Sequence, residues 1–178
     1  KQKQLATKYP YPCSKHYPRL IKKETIAAIE IHDKLLIEDY TQEFNYNTIK
    51  SNIQVIDNVA MLSDGNMLNL SILSNQINDF RFRYRTINLR NAYDVFLLSK
   101  KVSAKNAVNT VKGLSHPLNC FLAACCEVFN SPDSLEYTKT KKTKAYLILF
   151  KEQFTNPRKA NRRNAIIKFY NSIKLVFS

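Results

Sequence analysis

The sequence predicts an all-α or mainly α fold: one compact domain of about seven to eight helices, an extended basic N-terminal arm and room for one short basic strand. Three observations carry this expectation. Only two glycines, Gly65 and Gly113, occur in 178 residues, too few for the turns of sandwiches and barrels or for Gly-rich nucleotide loops. Apolar residues recur at three- and four-residue steps through most of the chain, the period of helices that bury one face. The apolar and aromatic content is that of a folded protein, and the length suits one core.

Residues 1–23 read as the arm. Tyr9-Pro10-Tyr11-Pro12 and Tyr17-Pro18 favour extended backbone, since each proline also restricts its predecessor. Within the arm, Lys3–Lys8 (KQLATK) is identical to a stretch of a core histone tail, although nothing that follows is histone-like. Residues 24–178 form the helical domain, with an acidic part over 24–80 and a basic part over 81–178. Ile26, Ile29, Leu36 and Tyr40 predict a helix over 24–44, with its acids on the other face. Asn47 or Thr48 is placed to cap a second helix with Ile49, Ile53, Ile56 and Ala60 in one stripe, ended by Asp64-Gly65. Residues 67–80 fit a helix through Leu70, Leu73, Ile77 and Phe80, while Leu68, Leu70 and Ile72 also alternate as a strand would.

Asn88 is placed to cap a helix through Lys101, with Leu89, Tyr93, Phe96 and Leu97 inward. Ser103 starts a short helix that Gly113 closes. Ser115 caps the clearest core helix, where Leu118, Phe121, Leu122, Cys125 and Phe129 follow one another at helical steps. Asn130 to Asp133 turns the chain. Residues 138–144 (TKTKKTK) read as an exposed basic loop, and 145–154 as a helix, with a buried strand over Tyr146–Phe150 as the alternative. Asn156-Pro157 opens a terminal helix with Ile166, Phe169, Tyr170, Ile173 and Phe177 inward.

The net charge is +14, and its distribution points to a polyanionic partner. Residues 1–23 carry seven bases and no acids, residues 24–80 two bases and nine acids, and residues 81–178 nineteen bases and five acids. Such an excess concentrates and steers polyanions. Phe80-Arg81-Phe82-Arg83-Tyr84-Arg85, if extended, places Arg81, Arg83 and Arg85 on one face, at a pitch able to follow a phosphate backbone. Lys139, Lys141, Lys142 and Lys144 form a second cluster. Arg158, Lys159, Arg162 and Arg163 form a third, crowding the start of the terminal helix, where the helix dipole disfavours positive charge and backbone amides attract phosphate.

Other chemistries find less in the residues. There is no P-loop, dinucleotide fingerprint, Gly-x-Ser-x-Gly or His-Glu-x-x-His, so no catalytic role and no cofactor is expected. Cys13, His16, His116 and Cys120 offer a Cys₂His₂ zinc set, but the two pairs lie far apart in the chain, and buried free cysteines are the commoner outcome. Leu89–Phe96 (LRNAYDVF) is similar to the first helix of an HMG box, yet the preceding proline is missing and the chain has no tryptophan. The apolar stretch from Leu114 to Cys126 is interrupted by polar residues and too short to span a bilayer. Four cysteines, two of them adjacent at Cys125 and Cys126, fit a reduced intracellular compartment, cytoplasmic or nuclear.

The expected function is therefore non-catalytic binding to a nucleic-acid backbone, RNA favoured over DNA, as a component or bound factor of a ribonucleoprotein such as a ribosome. Lysine loops and arms suit an irregular RNA surface, and no residue pattern resembles a base-reading recognition helix. The alternatives are a DNA-binding or chromatin protein, and a protein-interaction module using the acidic 24–43 helix or the basic half. Other proteins of a ribonucleoprotein are expected partners, and a membrane is not.

Overall fold

The computed structural model describes residues 20–21, 28–29, 32, 34–37 and 40–176, and among these the chain is mainly helical, as the sequence predicts. β1 (Leu20–Ile21) pairs antiparallel with β2 (Ala28–Ile29), Leu20 opposite Ile29. A single helical turn, α1 (Tyr46–Ile49), is closed by a capping box between Asn45 and Thr48. It leads into an antiparallel hairpin of β3 (Ile53–Ile56) and β4 (Val59–Leu62), in register from Ile53↔Leu62 to Ile56↔Val59. Then follow α2 (Asp64–Leu73), a π-turn over Ser74–Asn78, α3 (Arg81–Tyr84), α4 (Leu89–Ser99) and α5 (Ala104–Asn109). α6 (Ser115–Val128), α7 (Lys141–Thr155) and α8 (Pro157–Val176) complete the described chain.

α6 is the centre. Every residue from Pro117 to Cys126 is buried, so the helix is enclosed on all sides rather than amphipathic. Leu118, Phe121, Leu122 and Cys125 join Leu68, Ile72 and Leu73 of α2, Val95 of α4 and Val108 of α5 in the main core. Each fully buried side chain of this size contributes about 1.5–3 kcal/mol by leaving water. A second cluster lies on the opposite flank of α6, where Cys120 and Ala124 meet Tyr146 and Phe150 of α7.

Three contacts fix how α6 and α7 run. His116 lies in the field of Lys142, Cys120 packs in one cluster with Tyr146, and Glu127 pairs with Lys151 at 2.7 Å. These advance together along both helices, so α6 and α7 are parallel and both N-termini lie at one end. Parallel helices require a crossover, which residues 129–140 supply. Asn130 and Ser131 both adopt positive φ, Leu135 is fully buried, and the Asn119 side chain bonds Thr138 in both directions at 2.7 Å. α8 then folds back on α7 after Asn156-Pro157, with Ala160 fully buried and the Asn156 side chain accepting from the Lys159 amide.

Several predicted elements are corrected. No described residue between 28 and 45 is in an α-helix: Ala28–Ile29 is a strand. Leu35 to Ile37 instead bend beside Asn78, whose side chain accepts from the Ile37 amide (3.1 Å) and donates to the Leu35 carbonyl (3.0 Å). Leu36 is nonetheless a core residue, while Ile26 lies outside the described residues. The stripe Ile49, Ile53, Ile56 and Ala60 is not one helix. Asp57 and Asn58 both take positive φ, 50° and 62°, the backbone of a two-residue hairpin turn that Asp and Asn tolerate, and the β-branched residues around it pair as strands. Asp64-Gly65 opens a helix instead of ending one, with the Ser63 hydroxyl accepting from the Asn66 amide. Residues 67–78 resolve as helix.

The proposed basic strand is a helical turn, α3, bounded by Phe80 and Arg85 at φ 56° each. α4 is capped by Asn88 as expected but is rotated: Ala92, Val95 and Ser99 are buried, while Leu89, Tyr93 and Leu97 are exposed. Ser103 caps α5, which ends at Asn109, so Gly113 closes nothing and sits in a 3₁₀ turn. No side chain caps α6, where Ser115 is the first residue rather than the cap. Lys141–Lys144 belong to α7 and only 138–140 are loop, because Thr140 and Thr143 form a capping box with Thr143 buried. On α8, Ile166, Phe169, Tyr170 and Ile173 face out, the first three at 69, 68 and 67 % exposure. Phe177 lies outside the described residues.

Candidate nucleic-acid interface

The parallel course of α6 and α7 gives the molecule a positive end. Neither helix has an acidic residue in its first turn, which leaves the positive end of each dipole without a compensating charge from its own helix. Lys141 and Lys142 occupy the first two positions of α7, both exposed, with Lys144 one residue beyond the buried Thr143. From α3, Arg85 reaches the same end. Its guanidinium lies 4.8 Å from the Phe82 ring and 5.5 Å from the Tyr146 ring, and donates to the Phe82 carbonyl.

His116 stands between these charges, edge-on to Phe82 with 5.5 Å between ring centroids. Burial first, then the charges of Lys142 and Arg85, hold its imidazole below the ordinary histidine range. His116 thus stands near two cations and the starts of α6 and α7.

The remaining cations are distributed differently from their spacing in the chain. Arg81 and Arg83 are exposed, and Arg83 lies over the Phe80 ring at 5.1 Å. The helical turn splays the three arginines, so they form no row, and Phe82 is taken up in packing against Tyr146 at 5.7 Å. Lys139 is exposed but acts on Cys126, farther along α6. On α8 the cluster divides. Lys159 and Arg163 both grip Glu152 of α7, the former at 2.7 Å, and their hydrogen bonds hold Glu152 below the usual carboxylate range. Arg158 and Arg162 are exposed and have no ion pair among the described residues. Sequence reasoning missed Glu152 as the partner, although it lies close to the helix-opening Asn156-Pro157. It also missed Arg85 as an inward residue, which its spacing in a predicted strand concealed.

Cys13 and His16 lie outside the described residues, so half of the zinc set is not placed. His116 Nδ1 and Cys120 Sγ do meet, at 3.6 Å, but among the described residues no three His, Cys, Asp or Glu side chains gather into a metal site. Burial pushes the Cys120 thiol up to about 12, so it stays protonated and is not an activated nucleophile. Cys120, Cys125 and Cys126 are free and buried. Among the described residues no helix is long and apolar enough to cross a membrane. The predicted acidic helix offers no helical face among the described residues. Its Glu43 turns to the Gly113 amide, accepting from it at 3.1 Å. The chain matches no known protein family, no curated protein and no solved structure.

Proposed function

We propose that this chain is a non-catalytic RNA-binding protein, a component or bound factor of a ribonucleoprotein such as a ribosome, which holds phosphate at the shared N-terminal end of α6 and α7. The observation that carries the reading is the convergence of Lys142 and Arg85 on His116 where two helix dipoles point outward. Exposed Lys141 and Lys144 belong to the same end, and exposed Arg158 and Arg162 offer further cations where α8 begins, beyond the C-terminal end of α7. RNA is preferred to duplex DNA because these cations lie on separate elements and form no continuous row, which fits an irregular phosphate surface better than a regular groove. Three buried free cysteines suit a reduced compartment, cytoplasmic or nuclear.

A second reading has one specific observation behind it. Ile166, Phe169 and Tyr170 expose an apolar stripe on α8, which favours contact with another protein of the same particle. Fluorescence titration with a short single-stranded RNA from 0.05 to 0.2 M salt tests the main reading. Affinity should fall steeply with salt, since phosphate contacts release counterions. Absence of binding, or binding indifferent to salt, rejects it.

A further inference from the structure

α8 outruns the core it packs against. Its first two turns are held: Ala160 is fully buried, Arg163 pairs with Glu152 of α7, and Asn164 donates to the Gln153 side chain at 3.5 Å. Beyond Asn164, Ile167 alone among the described side chains is half-buried, and the others through Ile173 are exposed. At about 1.5 Å per residue, the segment from Ala165 to Val176 is about 18 Å long. A helix of that length with nothing packed on it is marginal in water. Its composition adds to the cost, because Ile, Phe and Tyr are weaker helix formers than Ala or Leu.

The exposed side chains are ordered. Arg158, Arg162, Ile166 and Tyr170 follow at four-residue steps along one ridge of the helix, and Phe169 and Ile173 lie beside its apolar part. One face of α8 thus carries two exposed arginines, without an ion pair among the described residues, and then four exposed apolar and aromatic residues. Ile166, Phe169, Tyr170 and Ile173 have the three- and four-residue spacing of a seam between two helices. Charge identifies what covers it. From Gln153 to Ser178 the chain carries six bases and no acid. A second copy would bring six more, and the N-terminal arm has seven bases and no acid, so neither complements this face. Nor does Ile166 or Ile173 offer a ring on which a nucleobase could stack.

We infer that this face of α8 docks an acidic amphipathic helix of a partner protein. The partner's apolar stripe lies on Ile166, Phe169, Tyr170 and Ile173, and its carboxylates meet Arg158 and Arg162. Apolar anchors at these spacings are the usual means by which one helix recognises another. Both cations precede the stripe, so the partner's acids gather at one end, and bidentate arginine–carboxylate pairs there fix the direction in which it lies. Docking also covers the half of α8 that the rest of the chain leaves bare. The inference rests on reading the stripe as a protein contact, and it adds the partner's form and charge.

Two synthetic peptides of about 20 residues, matched to the ~30 Å of α8, test it. Both carry the same leucine stripe at helical spacing, flanked by Glu in one and by Lys in the other. In anisotropy titrations with the full chain, the acidic peptide should bind about ten-fold more tightly at low salt, as two exposed charge pairs against two repulsions imply. The difference should shrink as salt screens it. Replacing Arg158 and Arg162 together by Gln should remove it. Ile166→Ala combined with Phe169→Ala should abolish binding of both peptides and leave RNA binding unchanged, since both side chains are exposed and alanine keeps the helix. Equal affinity for the two peptides overturns the acidic assignment and leaves the protein contact standing, whereas binding of neither rejects both. Dimerisation of the chain alone that this double variant abolishes would assign the stripe to a second copy, and weakened RNA binding in the same variant would assign it to RNA. Either result overturns the inference.

Discussion

Replacing Lys141 and Lys142 together by Gln isolates the positive end from the rest of the surface charge. Both side chains are exposed, and neither has an ion pair among the described residues. Their removal therefore breaks no ion pair among the described residues. On single-stranded nucleic acid each phosphate contact contributes about −0.7 to the log–log salt slope. Contacts from Lys139, Lys141, Lys142 and Lys144 alone give a slope of about −3, and the double variant should be shallower by about 1.4. If the two proteins bind equally at 1 M salt, that difference is about 60-fold in affinity at 0.05 M and about ten-fold at 0.2 M. Stability should change by less than about 0.5 kcal/mol, as at ordinary surface sites, and in the favourable direction, because lysines at a helix N-terminus oppose the dipole. Anisotropy of a labelled RNA across the salt range, with urea melts of both proteins, measures both quantities. An unchanged slope with an intact fold would refute the phosphate cradle. Loss of folding would refute the claim that these lysines are unpartnered.

The α8 cluster should divide under mutation: Arg162→Gln weakens RNA binding with stability intact, whereas Arg163→Gln lowers the melting temperature because Glu152 loses a partner. Equal effects on binding and none on melting would show that the Glu152 clamp is unimportant. Phe121→Ala should cost about 3–5 kcal/mol in urea melts through lost transfer energy and a cavity, since Phe121 is fully buried in α6. A change under about 0.5 kcal/mol, as at a surface site, would contradict its burial. His116 gives a pH dependence with opposite signs in two measurements. Its folded value lies below the ordinary 6.5, so the unfolded chain takes up the proton first and the free protein loses stability as pH falls through that range. A bound phosphate raises the imidazole value, so RNA affinity should rise as pH falls from 8 towards 6, and His116→Asn should remove that rise. Affinity independent of pH would place the anion elsewhere.

The helical class and the α6 core were legible in the order of residues, because scarce glycines and an unbroken run of three- and four-residue apolar steps leave few ways to bury Leu118, Phe121, Leu122 and Cys125. The caps Asn88 and Ser103 and the Asn156-Pro157 junction were legible as well, since a capping bond is local and needs only its own neighbours. The hairpin at Asp57-Asn58 was not, because isoleucines four apart fit a helix stripe and a pair of strands equally well until the partner strand is present. The same limit concealed the faces of α4 and α8, whose apolar residues outnumber the core positions open to them. The basic clusters could be counted along the chain, but position in the chain says nothing of partners. Packing turned Arg163 towards Glu152 and left Arg162 in solvent. It also brought Arg85, Lys142 and His116 together from three separate elements, because α6 and α7 run parallel. Non-local contacts of that kind form only when the chain closes on its core, so the charge was written in the sequence and its place was decided by the tertiary structure.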